Sequence, residues 1–208
     1  MRALLSAVII AGTMLLSGCG YNTMQAQDEG VKAKWSEVIN QYQRRAELIP
    51  NIVKTAEAEA NFEKGVLTEV TQARASVAGM KATPELINDP VAFKKFIDAQ
   101  NQLQGALSRL LVVSENYPNI KANQAFQEVR AQLEGTENRI AVARKNYIDS
   151  VQQYNTTLRT FPNNMTAKVF GYTPKANYTV ANEAEISTAP KVEFNVGGTS
   201  GATPAPKQ

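Results

Sequence analysis

Over most of this chain the apolar residues recur at helical spacing, and that leaves little besides packed helices as a fold. Trp35, Ile39, Tyr42, Ala46, Ile49, Val53, Ala56, Ala60, Leu67, Val70 and Val77 step by fours and threes, interrupted only at Glu63 and Arg74. A second stripe runs Phe126, Val129, Leu133, Ile140, Ala143, Tyr147, Val151, Tyr154, Leu158 and Phe161, with Thr136 as its polar member. Phe93, Phe96, Ile97, Leu103, Leu107, Leu110 and Leu111 form a third. Narrow stripes flanked by Gln, Lys, Glu and Arg are the pattern of helix-bundle seams. The fold class is therefore all-α.

Prolines punctuate the stripes. Pro84 and Pro90 bracket a connection, and Pro162 closes the last helix. Pro50 and Pro118 lie about equally far from that connection, and a proline inside a helix removes a hydrogen bond and crowds the preceding turn. If both are turns, the chain is an antiparallel up-and-down four-helix bundle with long helices. If both are kinks, it is a long two-helix hairpin. The bundle buries more surface per residue and is the expected form. Either way the two prolines are predicted to be neighbours at one level. An irregular C-terminal tail, 171–208, follows the bundle. Within it Lys191 to Val196 is expected to pair as a short strand or lie along the bundle, and Gly197 onward to stay flexible.

The N-terminus reads as an address. Arg2 precedes an almost unbroken apolar and small run from Ala3 to Leu16, too short to span a bilayer as a free helix. It ends in Leu16-Ser17-Gly18-Cys19, which resembles a bacterial lipobox and holds the chain's one cysteine. The resemblance implies a signal peptide over 1–18 and an acylated Cys19 that binds the membrane through two or three chains. Gly20, where an inner-membrane retention signal would commonly place Asp, favours the outer membrane if the cell has two. The domain would face the periplasm or the cell exterior.

Composition narrows the function. The sequence has no histidine, and its single cysteine excludes internal disulfides and multi-cysteine metal sites. The 22 basic and 19 acidic residues nearly balance, so no electrostatic case for nucleic acid exists. No enzyme, cofactor or metal site is expected. The expected partners are the membrane, through Cys19, and an envelope protein or a second copy of the chain.

Polar motifs flank the two prolines. Around Pro50 stands Arg44-Arg45-Ala46-Glu47-Leu48-Ile49-Pro50-Asn51; around Pro118 stands Glu115-Asn116-Tyr117-Pro118-Asn119-Ile120-Lys121-Ala122-Asn123. Thr136-Glu137-Asn138 and Tyr154-Asn155 follow in order. This series, from about Tyr21 to Tyr172, resembles the LemA family of bacterial membrane-attached proteins, with Glu47 for the usual Asp and Ile120 for the usual Leu. Many members look anchored by a transmembrane helix, whereas this chain offers a lipobox. The resemblance implies an up-and-down four-helix bundle and supplies no established reaction, cofactor or ligand, only a hint of envelope maintenance. Arg44, Arg45, Glu47, Asn51, Glu115, Lys121 and Asn123 should gather at the proline level. There they either cap broken helix ends, form a patch that docks a partner, or, as a third reading, pair Glu47 with Glu115 as acid and base. Glu63, Arg74 and Thr136 are expected to meet polar groups on other helices, Arg144 or Glu137 among them. Trp35 should be buried.

Overall fold

The computed structural model describes residues 2–178, with side chains described from Gly20 onward. Among them the chain is all-helical: α1 (Arg2–Glu57), α2 (Lys64–Ala78), a 3-10 turn (Pro84–Asn88), α3 (Pro90–Ser114), α4 (Pro118–Ala122), α5 (Gln124–Arg159) and α6 (Asn163–Phe170). No helix among the described residues is long and apolar enough to cross a membrane. The segment Lys191 to Val196 and the rest of 179–208 lie outside the described residues.

Local signals place the starts. Asp89 accepts from the backbone N–H groups of Val91 and Ala92 at 2.9 and 3.0 Å, and Pro90 opens α3 where no donor is needed. Asn123 caps α5 by accepting from Phe126 N at 3.1 Å. Gly171, in the left-handed region at φ 72°, ends α6, and Tyr172 N returns to the Ala167 carbonyl at 2.9 Å.

Contacts set the directions of the long helices. Trp35 meets Tyr147 while Arg45 meets Glu137, so α1 and α5 are antiparallel. Trp35 meets Phe93 and Arg45 meets Gln100, so α1 and α3 are parallel. Glu69 meets Arg109 and Phe62 meets Tyr117, so α2 opposes α3. Successive long helices thus alternate in direction, but α2 is short. Where it stops, the connection after it carries on, with Met80 and Ala82 packed on the core and the Thr83 carbonyl accepting from Trp35 Nε1 at 3.1 Å.

The prolines behave differently from expectation. Pro50 is neither a turn nor a helix end: α1 continues through it to Glu57, and the chain reverses at 58–63. Without an N–H at Pro50, the Ala46 carbonyl loses its usual donor. Arg74 of α2 supplies one, its Nε donating at 3.3 Å. The helix persists because Ile49, Ile52 and Ala56 all bury on the same side, offsetting the roughly 3 kcal/mol an interior proline costs. Pro118 does mark a turn, opening α4. Its neighbour is the α1–α2 reversal, since the Tyr117 ring sits 5.0 Å from Phe62 and its hydroxyl donates to the Asn61 carbonyl at 3.1 Å. That places it at the reversal past the end of α1, which continues seven residues, about 10 Å, beyond Pro50. The two prolines are not level.

The interior divides in two. A basal core gathers Trp35, Tyr42, Phe93, Phe96, Tyr147 and Tyr154. A distal core gathers Ile49, Ile52, Phe62, Val70, Leu103, Leu110 and Phe126. Trp35 is fully buried.

Candidate functional site

Between the two cores lies a polar layer. Arg45 on α1 is 1% exposed; its Nη1 donates to Glu137 Oε1 at 2.8 Å, and its Nη2 to Gln100 Oε1 at 2.5 Å and the Gln100 carbonyl at 3.2 Å. One guanidinium therefore joins α1, α3 and α5. Its carbon also lies 5.1 Å from the Tyr42 ring centroid. Thr136, fully buried on α5 in the same layer, donates to the Gln132 carbonyl at 2.7 Å and accepts from Arg139 at 3.2 Å. Thus Thr136 bonds within its own helix. A buried cation is tolerated only when paired and hydrogen-bonded. Arg45 accordingly belongs to the interior, which corrects its placement on a docking surface.

The other six motif residues do not gather at one level; they divide between Pro50 and Pro118. Arg44, Glu47 and Asn51 are exposed on α1, where Glu47 accepts from Gln43 at 3.0 Å. Glu115, Lys121 and Asn123 lie at the distal corner. Glu115 caps the end of α3 and pairs with Lys121 at 2.8 Å and with Arg130. Hydrogen bonds from Lys121 and then Arg130 hold its carboxyl down at about 2. Asn123 is the α5 cap already described. Glu47 and Glu115 therefore sit in separate settings, each already bound. Glu63 is exposed at the start of α2 and makes no capping bond with its side chain, while Arg74 meets a polar group on another helix as expected, though that group is the Ala46 backbone carbonyl of α1 and not Arg144 or Glu137.

Sequence reasoning missed a third constellation. Residues 172–178 run back along α5, with Tyr154 donating to the Thr173 carbonyl at 3.2 Å and Tyr147 to that of Ala176 at 2.6 Å. Asn155 bonds both backbone groups of Lys175, accepting from its N–H at 2.9 Å and donating to its carbonyl at 3.1 Å. Lys175 Nζ then reaches Asp28 at 2.7 Å and Asn88 at 2.7 Å, and Asp28 also holds Lys32 at 2.8 Å. Burial pushes the Asp28 carboxyl up, but the hydrogen bonds from Lys175 and Lys32 outweigh it, so its pKa lies below the ordinary value. The Tyr178 ring completes the basal aromatic group, 5.5 Å from Phe93 and 5.7 Å from Tyr147, beneath the Arg144 guanidinium at 4.4 Å. Only the Asp28–Lys32 spacing hinted at this clamp. Nothing local in the sequence pairs positions 28 and 175.

A cleft of about 490 Å³ opens beside the α1–α2 reversal, lined by Glu57, Glu59, Phe62, Lys64, Leu67 and Thr71 among others. No group of His, Cys, Asp or Glu able to hold a metal ion occurs among the described residues. The motif segments thus serve helix junctions and two exposed surfaces. The chain matches the LemA family over residues 34–194. The chain belongs to the LemA family. Its relatives include magnetosome protein MamQ 2 of Paramagnetospirillum magneticum, 27% identical over 186 residues, covering 82% of this chain and 67% of that protein. MamQ 1 of the same organism matches to the same extent. Magnetosome protein MamQ of Magnetospirillum gryphiswaldense is 26% identical with the same coverage. The LemA match takes in the polar layer, the distal corner and the returning segment alike.

Proposed function

We propose that this LemA-family protein is a membrane-associated structural or scaffold protein of the bacterial envelope. Lipid on Cys19 holds it to the membrane, and its helical domain binds an envelope protein or another copy of itself, without a reaction or cofactor of its own. The supporting observation is the division of polar residues: the buried ones lock helices together, while Arg44, Glu47 and Asn51, with Glu115 and Lys121, remain exposed toward the distal half. Asn51 stands about 50 Å along α1 from Cys19, counting 1.5 Å per residue. Such spacing suits a module that reaches a partner away from the lipid surface. The domain then faces the periplasm or cell exterior, with the outer membrane favoured by Gly20 after the lipobox.

Photo-crosslinkers at Asn51 and at Lys94, both exposed, test the partner claim in intact cells. Capture of one protein, foreign or a second copy, at Asn51 but not at Lys94 is the expected result. Equal capture at both positions, or none, overturns a docking role for the Asn51 face. Cys19→Ser should release the chain from the membrane fraction, and unchanged attachment defeats the lipid anchor.

A further inference from the structure

Among the described residues, the basal end carries an exposed apolar face. In α6, Met165 and Val169 are four residues apart on one side and are 62% and 79% exposed, while Ala167 opposite them is buried. Phe161, 79% exposed, extends this face at its start, and Phe170, 58% exposed, at its end. Large exposed apolar clusters on a small domain mark a surface that meets something.

The position of α6 identifies what it meets. Gly20 abuts α6 so closely that an added Cβ would lie 2.6 Å from Asn163 Oδ1. Cys19, the next residue back, ends the lipobox, and the apolar run 3–16 precedes it. Tyr21 packs on Phe170 at 4.8 Å and on Tyr172 at 6.1 Å, grouping aromatic rings at the same end. Aromatic rings of this kind concentrate at the headgroup level of membranes. Charge agrees. Residues 20–27 and 150–178 contain no Asp or Glu, while Arg159 and Lys168 are exposed beside the apolar side chains. An apolar face rimmed by cations, on segments that carry no acidic residue of their own, complements a lipid surface.

We propose that the α6 face lies in the membrane interface, with Phe161, Met165 and Val169 among the acyl chains and Lys168 and Arg159 at the headgroup phosphates. This rests on the lipid-anchor reading and deepens it: the anchor sets where the domain is tethered, and α6 sets how it stands. Holding a second point beside the tether turns a swivelling domain into an oriented one. The distal corner is then directed away from the bilayer.

The test uses the full lipidated chain, purified from membranes and reconstituted in vesicles whose acyl chains carry bromine, a contact quencher of indole. Trp35 is the chain's one tryptophan and is buried, so it supplies an unquenched background. The chains Met165→Trp and Phe161→Trp are expected to lose about half their emission relative to unbrominated vesicles, since the added indole is one of two. Val112→Trp, at an exposed distal position, should lose none. Chain that sediments with vesicles but keeps full emission at both α6 positions overturns the α6 proposal and leaves the anchor standing. Quenching equal at Val112 overturns it as well. Chain that does not sediment overturns anchor and α6 seating together.

Discussion

Arg45 shows how far a side chain's meaning depends on its surroundings. In sequence it is the second of two adjacent arginines, and nothing local separates it from Arg44. In the fold, one turns outward and the other joins three helices. Truncation by Arg45→Ala is predicted to cost about 3 kcal/mol, because Glu137 and Gln100 lose their donor and a cavity replaces the guanidinium. Arg44→Ala should cost less than about 0.5 kcal/mol. Urea unfolding of both variants checks the contrast, and equal losses would remove the buried-node account. Glu115 carries a pH signature. Its folded pKa, about 2, lies below the ordinary carboxylate value, so the stabilisation it supplies is complete at neutral pH and fades as pH falls from about 4.5 toward 2. A carboxyl-carbon NMR titration should show that low midpoint in the intact chain and a rise toward the ordinary value in Lys121→Met. At this scale the sequence was legible wherever spacing alone buries a residue, as for Trp35. It was illegible where two equivalent neighbours face opposite ways.

At the scale of elements, Pro50 carries the clearest lesson. An interior proline reads as a break because it removes one donor and crowds the turn before it. The sequence cannot say that Arg74, on another helix, will supply the missing donor. The pair makes a prediction. Arg74→Ala should destabilise the native chain by about 1 kcal/mol, since the Ala46 carbonyl is left short of a partner. In a Pro50→Ala background the backbone N–H returns, so the same Arg74→Ala change should cost markedly less. A double-mutant cycle by denaturant unfolding measures this coupling, and purely additive effects defeat the explanation. Gly171 sets another element, ending α6 so that 172–178 can return along α5. Gly171→Ala should cost about 1 kcal/mol, because an L side chain pays a steric penalty at φ 72°.

On the scale of the whole molecule, two cores meet at a polar layer and differ in chemistry. The basal core holds Tyr42, Tyr147 and Tyr154 with Tyr178 packed against it, whereas the distal one has only Tyr117 at its edge. Burial raises the phenol pKa of each of these four tyrosines, with Tyr154 pushed up to about 12. Since the folded values exceed the unfolded value near 10, their contribution is complete below pH 10 and is lost as pH rises above it. The expected outcome is alkaline unfolding that begins at the basal end. Trp35 emission should shift to the red between about pH 10 and 12, before amides of the distal core lose protection from hydrogen exchange. Simultaneous loss at both ends would show that the polar layer couples the cores into one cooperative unit.

What the sequence by itself determined was the all-α class, the faces of α1, α3 and α5, the family, and a capping role for Asn123 beside Pro118. These depend on neighbours three or four residues apart, and a sequence displays such spacing directly. The tertiary structure alone decided that α1 passes through Pro50, that Arg45 faces inward, and that residues 172–178 are clamped through Asp28 and Lys175. Each of those outcomes turns on a hydrogen bond between groups far apart in the chain. The energy of such a bond exists only after the helices have packed.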